Sequence, residues 1–430
     1  EPFTMDYEPS TVSHEQITMS NERKPKVLIS AYACEPDKGS EPGVGWNWAK
    51  QIARFAEVWV ITRANNRDSI EKALQKEPIP DFHFVYYDVP KWLSFWKKKT
   101  RGLYLYYLLW QIGAYLVAKG LHKSINFDVV HHLTFGNLWL PTFMSFLPVP
   151  FIWGPIGGGE EIPLAFWKKF PLNAKIKECL RSIIISSLKI NPLFKYNSYK
   201  SSLIIAKTTD TANRFNHGYK SKIVVETDVA IDSIPLKQDK NSHNNCVQLI
   251  AVGRLDAWRG FDLLIRAFAK VIKIYNNVCL YIIGDGSEMK RLKKLRKHLN
   301  LTDKIILTGH IDKNKYWKYM RISDIFVNPC LKEGGVTALF DALSFGLPVI
   351  CFNIGGASEI VDNGCGIKTK PVTPEQTIRD LADAIVKLAR NPQLRREMGG
   401  GGRKRAKQLY NWDKKGNSIK NIYLMVLDKK

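Results

Sequence analysis

Acidic residues, paired cysteines and long apolar runs are scarce in this chain, and each shortage excludes something. Asp and Glu number 40 against 64 Lys and Arg, a formal net charge of +24. An excess of that size speaks to partners rather than to fold: nucleic acid, an anionic membrane or a phosphorylated ligand. A lysine-rich, solvated surface is the plainer reading. The seven cysteines, Cys34, Cys179, Cys246, Cys279, Cys330, Cys351 and Cys365, are odd in number and scattered, without a C-x-x-C pair. That argues against a disulfide framework and a zinc ribbon, and for a reducing cytosolic compartment. Residues 1–24 are polar, lack the apolar segment of a signal peptide and read as a disordered tail. The longest apolar run, Leu103–Ala118, contains Gln111 and four tyrosines. It stands at or below the lower end of the roughly 17–25 residues a spanning helix needs.

What is present is an ordinary globular composition, 45% hydrophobic and 24% charged, over 430 residues. That length predicts two domains or three. The runs Lys26–Tyr32, Glu57–Thr62, His83–Tyr87, Asp128–His132 and Pro150–Trp153 read as buried strands. Between the first two lie a Gly/Pro loop, 35–45, and a helix from about Trp46 to Phe55. A second set follows: strands Val247–Val252, Val278–Ile283, Ile305–Thr308, Ile325–Asn328 and Pro348–Phe352, with helices Phe261–Tyr275 and Glu288–His298 among them. Two successive strand–helix alternations predict an α/β protein of two Rossmann-like, doubly wound domains facing across a cleft. The expected division is 25–225 and 245–410, with 238–245 as a solvent loop.

The segment 92–123 stands apart. Lys97, Lys98, Lys99 and Arg101 precede the aromatic run, and between Lys91 and Asp210 sixteen Lys/Arg face five Asp/Glu. Two readings stay open: a buried helix of the first domain, or an interfacial element with aromatics at headgroup depth and lysines on anionic lipid.

Chemistry concentrates in 332–348, KEGGVTALFDALSFGLP. Glu333 and Gly334-Gly335 read as a loop; Thr337 to Phe345 reads as a helix stopped by Gly346 and Pro348. Backbone N–H groups at such a helix start can hold phosphate or a sugar hydroxyl, and Asp341 lies one turn in. Two carboxylates flanking an anion cradle suit a ligand with polyol ends and an anionic middle, such as a nucleotide-sugar. Upstream, Gly253–Gly260 (GRLDAWRG) joins a strand to a helix, and its two arginines can grip a diphosphate bidentately.

Joined in order, VGRLDAWRGFDLLIRAFA, YIIGDGSEMKRL, LTGHI and KEGGVTALFDALSFGLPVICFNIGGASEIVDNGCG resemble the donor half of the retaining glycosyltransferases of family 4, which have the GT-B fold. YACEPDKGSEPGVGWNWAKQIA, DVVHHLTFGN and WGPIGGGEE are similar to one bacterial, polysaccharide-type branch of that family. By position, the resemblance implies that Arg254 and Arg259 neutralise the donor diphosphate, Arg259 standing where the family commonly has Lys. Glu333 would bond sugar hydroxyls, and Gly334, Gly335, Val336 and Thr337 would offer backbone N–H groups. Asp341 would take the ribose hydroxyls. It departs from the usual Glu, and Gly335-Val336 replaces the usual Phe-Gly. Gly284 and Gly309-His310 would lie near base and phosphates. Gly43 and Gly45 would let the first-domain loop approach the donor. Trp412 is similar to the aromatic that anchors the last helix, 411–430, which in this fold returns toward the first domain.

The family often places a histidine where His131 and His132 end a strand. Alternation lets only one of them point into the cleft, and His132 is expected to be that one, with Glu333 as the other catalytic group. His131, Gly158 and Glu160 are expected as acceptor or second-tier contacts, with a hydrogen-bonded structural histidine and a mere tight turn as the plainer readings. No D-x-D motif occurs, in keeping with the metal-independent mechanism the resemblance implies. No metal or cofactor is expected; the nucleotide-sugar is the donor substrate. The implied activity is hexosyl transfer to a glycan or lipid-linked saccharide in surface polysaccharide or glycoconjugate biosynthesis, without nucleic acid. The implied location is cytoplasmic, peripheral on the inner face of the plasma membrane if 92–123 is interfacial. The alternatives are a GT-B sugar-nucleotide epimerase, a sugar-phosphate synthase, or a basic membrane-binding scaffold without catalysis.

Overall fold

The apolar runs fold into two parallel sheets in the computed structural model, which describes residues 23–97, 101–231, 246–334 and 337–428. The first sheet contains β1 (Lys26–Ser30), β2 (Glu57–Thr62), β3 (Phe82–Tyr86), β4 (Val129–His132), β5 (Phe151–Ile156), β6 (Ser201–Ala206) and β7 (Ile223–Val225), in the order β3-β2-β1-β4-β5-β6-β7. The second contains β8 (Val247–Val252), β9 (Val278–Ile283), β10 (Ile305–Gly309), β11 (Ile325–Asn328), β12 (Val349–Phe352) and β13 (Gly366–Thr369), in the order β10-β9-β8-β11-β12-β13. Helices cover both faces, which is why the strands read as unbroken apolar runs rather than alternating ones. Each sheet reverses its strand order beside its first strand, at β1/β4 and at β8/β11. Such a switch point opens a crevice at the carboxyl ends of the strands. The fold is the doubly wound pair that the alternation predicts.

Three strands, β6, β7 and β13, are not among those predicted. β7 and β13 are short sheet edges. β6 follows the Pro192–Lys200 helix directly, with no turn residue to mark its start. The predicted 1–24 tail lies outside the described residues except for Arg23 and Lys24, as do the 238–245 loop and Lys98-Lys99.

On one face of the first sheet, Val27, Ile29 and Val60 pack with Trp48 and Ile52 and with Ile419, Ile422 and Tyr423 of the Trp412–Leu427 helix. The other face is closed by Tyr107, Trp110 and Ala114 of the Leu103–Ile125 helix. In the second sheet, the Phe261–Ile274 and Pro374–Arg390 helices build one core. Leu339, Phe340 and Leu343 of the Thr337–Ser344 helix build the other. The turn at Leu164–Lys169, after β5, inserts Phe166 and neighbouring Phe170 into the second sheet's core. Each buried phenylalanine contributes roughly 1.5–3 kcal/mol, so the two halves are tied by apolar burial as well as by the chain.

The first helix begins at Ser40 rather than Trp46 and ends at Ile52. Pro42 sits in its first turn, where the missing N–H has no intrahelical partner to lose. Gly43 and Gly45 therefore lie on a helix, which corrects their expected place in a loop. A Cβ on Gly43 would stand 2.0 Å from Lys38 O, and one on Gly45 2.2 Å from Ala33 O. Their smallness seats the helix against the segment after β1. The Leu103–Ile125 helix is buried on one side only. Tyr106, Tyr107 and Trp110 are buried, whereas Tyr104, Leu105 and Leu116 are exposed. Among the described residues, no helix is long and apolar enough to cross a membrane.

Candidate active site

The two switch-point crevices face each other around a cavity of about 230 Å³. The first half supplies Asn137 after β4, Gly157, Gly158 and Glu160 after β5, Lys207 after β6, and Arg181 from the Leu172–Ser187 helix. The second half supplies Trp258 and Arg259 after β8, and Lys332, Glu333 and Gly334 after β11.

Glu333 has a side chain only 9% exposed. One carboxylate oxygen accepts from Arg259 Nη1 and the other from Asn328 Nδ2 at 3.3 Å. Burial pushes its carboxyl above the usual range, with the Arg259 guanidinium pulling partly back. That guanidinium also lies 4.3 Å from the centre of the Trp258 ring, and Lys332 Nζ lies 5.1 Å from the same centre. Arg259 closes a single turn, Ala257–Arg259, followed by Gly260 at φ +66°. A Cβ on Gly260 would stand 2.0 Å from Pro329 O. Only glycine meets both demands, and this contact brings Arg259 beside Glu333.

The other cations are held in place. Lys332 Nζ donates to Glu178 Oε1 at 2.6 Å. Burial and nearby Arg181 lower the Lys332 pKa against the opposing pull of Glu178. Arg181 Nη2 donates to Gly158 O at 2.8 Å and Glu160 O at 2.6 Å. Lys207 Nζ lies 2.6 Å from Asp228 and 3.2 Å from Glu41. Burial alone would lower its pKa; the two carboxylates outweigh that and raise it, so it stays protonated. Glu160 is buried and accepts from Thr208 Oγ1 (2.7 Å), Thr211 Oγ1 (2.9 Å) and Gly158 N (3.2 Å). It faces Gly334 across the cleft.

Arginine and lysine held at fixed points around a shielded cavity can stabilise developing negative charge, and ionised carboxylates accept from hydroxyls. Among the described residues, no group of three His, Cys, Asp or Glu is placed to hold a metal ion.

Of the predicted residues, Gly158, Glu160, Arg259, Glu333 and Gly334 line this cavity. Arg254 does not. Its side chain is 69% exposed and donates to Asp256 at 2.5 Å, because it leaves the strand end on the solvent side while the following turn carries Arg259 inward. Gly284 follows β9 at φ +136° and donates to Gly309 O at 3.0 Å. His310 is exposed beyond β10, and Thr337 is exposed at the start of its helix. Asp341 accepts from Tyr316 OH at 2.6 Å. Gly335 and Val336 lie outside the described residues.

Neither histidine lines the cavity, which corrects the cleft-facing role expected of His132. The two rings point to opposite faces of β4, as alternation requires, but both faces are covered. His131 Nδ1 lies 2.7 Å from Tyr423 OH and its Nε2 lies 2.6 Å from Gly154 O. His132 Nε2 lies 3.4 Å from Tyr107 OH. Burial lowers their pKa values to about 4 and about 3, the charge of His131 adding to the second. Asn137, beyond the strand, reaches the cavity instead.

Sequence reasoning missed roles for Asn137, Arg181, Lys207, Trp258 and Lys332. Trp258 and Lys332 adjoin singled-out residues and were within reach by proximity. Lys207 follows a strand that was not predicted. Arg181 figured only in the basic surplus.

Residues 233–405 match the family model described as Glycosyl transferases group 1. Over 190 residues the chain is 32% identical to an uncharacterized glycosyltransferase of Methanocaldococcus jannaschii, covering 44% of this chain and 47% of that protein. Over 172 residues it is 27% identical to the GDP-mannose-dependent alpha-(1-6)-phosphatidylinositol monomannoside mannosyltransferase of Mycobacterium tuberculosis, covering 38% and 44%. The chain thus spans a little under half the length of these curated relatives. Among solved structures, Anabaena HepE in complex with UDP matches with a TM-score of 0.62 and 17% identity, over 93% of this chain and 99% of that one. At that identity the likeness is one of fold.

Proposed function

We propose that the chain, whose residues 233–405 match the glycosyl transferases group 1 family and whose fold is that of GT-B structures, is a member of that family that moves a hexose from a nucleotide-sugar to an acceptor hydroxyl, with retention and without a metal. The observation that carries this reading is the buried Glu333–Arg259 pair at the second sheet's switch point, facing the loops of the first sheet. In the proposed reaction the bond from the anomeric carbon to the phosphate oxygen breaks and the acceptor oxygen adds on the same face. The acceptor's proton passes to the leaving phosphate. Arg259 and Lys332 stabilise the departing diphosphate, and Glu333 accepts from the sugar hydroxyls and fixes the ring. Residues 245–410 form the donor side. Residues 25–225, with the Trp412–Leu427 helix, form the acceptor side, where Glu160, Gly158 and Asn137 meet the acceptor.

The acceptor we infer is a glycan or lipid-linked saccharide of surface polysaccharide or glycoconjugate assembly. The name of the Mycobacterium relative, a phosphatidylinositol monomannoside mannosyltransferase, and the exposed aromatics near 92–105 support a lipid-linked one. Calorimetric titration with nucleoside diphosphates, those of uridine and guanosine first, and a hydrolysis screen over their hexose conjugates test the reading. Saturable binding of one nucleotide and slow hydrolysis of its conjugate are expected. Failure of every nucleotide to bind and every conjugate to turn over would overturn it.

A further inference from the structure

The Leu172–Ser187 helix has two faces of opposite character. Its inner face carries Glu178 and Arg181 into the cavity network and Ile185 into the core. Its outer face is apolar and uncovered. Leu172, Ile176, Leu180 and Ile183 follow steps of four, four and three, which places them on one stripe. Each is between 52% and 74% exposed. Leu164 and Ile190 extend the exposed apolar surface at either end. At 100° per residue, Lys175 and Lys177 border the stripe, one on each side of Ile176.

Charge decides what covers it. Between 164 and 190 six Lys/Arg stand against one acid, Glu178, which lies on the inner face paired with Lys332. A second copy of the chain would meet this face with the same face, setting Lys175 and Lys177 against their own kind. An anionic lipid surface suits both features, since acyl chains accept the stripe and headgroups accept the bordering lysines. The stripe spans twelve residues from Leu172 to Ile183, eleven rises or about 17 Å of helix. That is a length that lies in an interface rather than crossing it.

Trp92, Phe95, Tyr104 and Leu105 are exposed as well. The Tyr104 ring lies 5.2 Å from that of Trp139. Trp139 Nε1 is 3.6 Å from where a Cβ on Gly158 would be, and Gly158 O accepts from Arg181. Tyr104 and the inner face of the Leu172–Ser187 helix thus both approach Gly158, which lines the cavity.

We propose that the outer face of the Leu172–Ser187 helix, joined by the exposed Trp92, Phe95, Tyr104 and Leu105, seats the protein on an anionic bilayer with the cavity near the headgroups. The docking stands on the exposed face alone; that the cavity meets a lipid-linked acceptor there rests on the transferase reading.

The test is co-sedimentation of the full chain with vesicles of phosphatidylcholine alone or mixed with phosphatidylglycerol. Three forms are compared: the native protein, the triple variant Ile176→Ser/Leu180→Ser/Ile183→Ser, and Lys175→Ser/Lys177→Ser. The native protein should partition onto the anionic vesicles about tenfold more strongly than onto neutral ones, and the triple variant should lose about tenfold. The lysine variant should lose the salt-sensitive part of binding. The substituted side chains are exposed or at the helix border, so melting temperature and nucleoside diphosphate binding should not change. Equal partition onto the two vesicle types, or binding untouched by the triple substitution, overturns the proposal. So does a native dimer in lipid-free velocity sedimentation that the triple variant dissolves, because a second copy then covers the face. Native protein that sediments with anionic vesicles yet binds no nucleotide supports the docking and sinks the transferase reading.

Discussion

Replacing Gly334 by alanine tests how the cleft is held closed. A Cβ there would lie 2.9 Å from Glu160 Oε1, 3.3 Å from its Cδ and 3.5 Å from Oε2. All three nearest atoms belong to one carboxylate from the opposite half of the protein. A free carboxylate would swing aside at little cost, but this one is fixed by Thr208, Thr211 and the Gly158 N–H. An ordinary contact requires a shift of about half an ångström. Either the hydroxyl hydrogen bonds stretch or the halves part, at about 1–3 kcal/mol. That corresponds to about 5- to 150-fold in the population of the closed form. In a nucleotide-sugar hydrolysis assay, Gly334→Ala should raise the donor KM by a factor in that range, with little change in melting temperature. Adding Glu160→Asp, one methylene shorter, should recover part of the loss. Native KM and kcat in Gly334→Ala would refute the reasoning, because the cleft would then close without this contact.

Arg259→Ala should weaken nucleoside diphosphate binding by about tenfold or more, whereas Arg254→Ala, exposed and outside the cavity, should change it little. Calorimetry on the two variants distinguishes them, and a reversed order would move the diphosphate to Arg254. His131 and His132, at about 4 and about 3, stay neutral in the fold while the unfolded chain takes up protons below about pH 6.5. Stability present above pH ~6.5 should therefore be lost as pH falls toward 4, by about 3 kcal/mol for His131 alone. Thermal melts over that window check it, and a flat profile would contradict the buried, neutral assignment.

The architecture was legible because strands covered on both sides must be apolar runs, and runs such as Val247–Val252 leave little else to read. Glu333 and Arg259 were legible through their motifs, each at the end of a predicted strand. Other parts depend on tertiary neighbours. Gly43 and Gly45 are needed because Lys38 O and Ala33 O lie where their Cβ atoms would be, a packing of the helix that no local pattern displays. Strand alternation separates His131 from His132 correctly but says nothing about Tyr423 and Tyr107, the residues that cover them. Arg181 and Arg254 carry the same charge in sequence. Packing puts the first in the cavity and leaves the second in solvent.

In the proposed reaction Glu333 holds the donor sugar while Arg259 and its neighbours hold the diphosphate. The most direct measurement is the turnover of the nucleotide-sugar found by screening, compared between the native protein and Glu333→Gln, with nucleoside diphosphate affinity measured on both. In the variant kcat should fall about 100- to 1000-fold, while nucleotide affinity stays near native. A Glu333→Gln protein that turns over its donor at the native rate would contradict it.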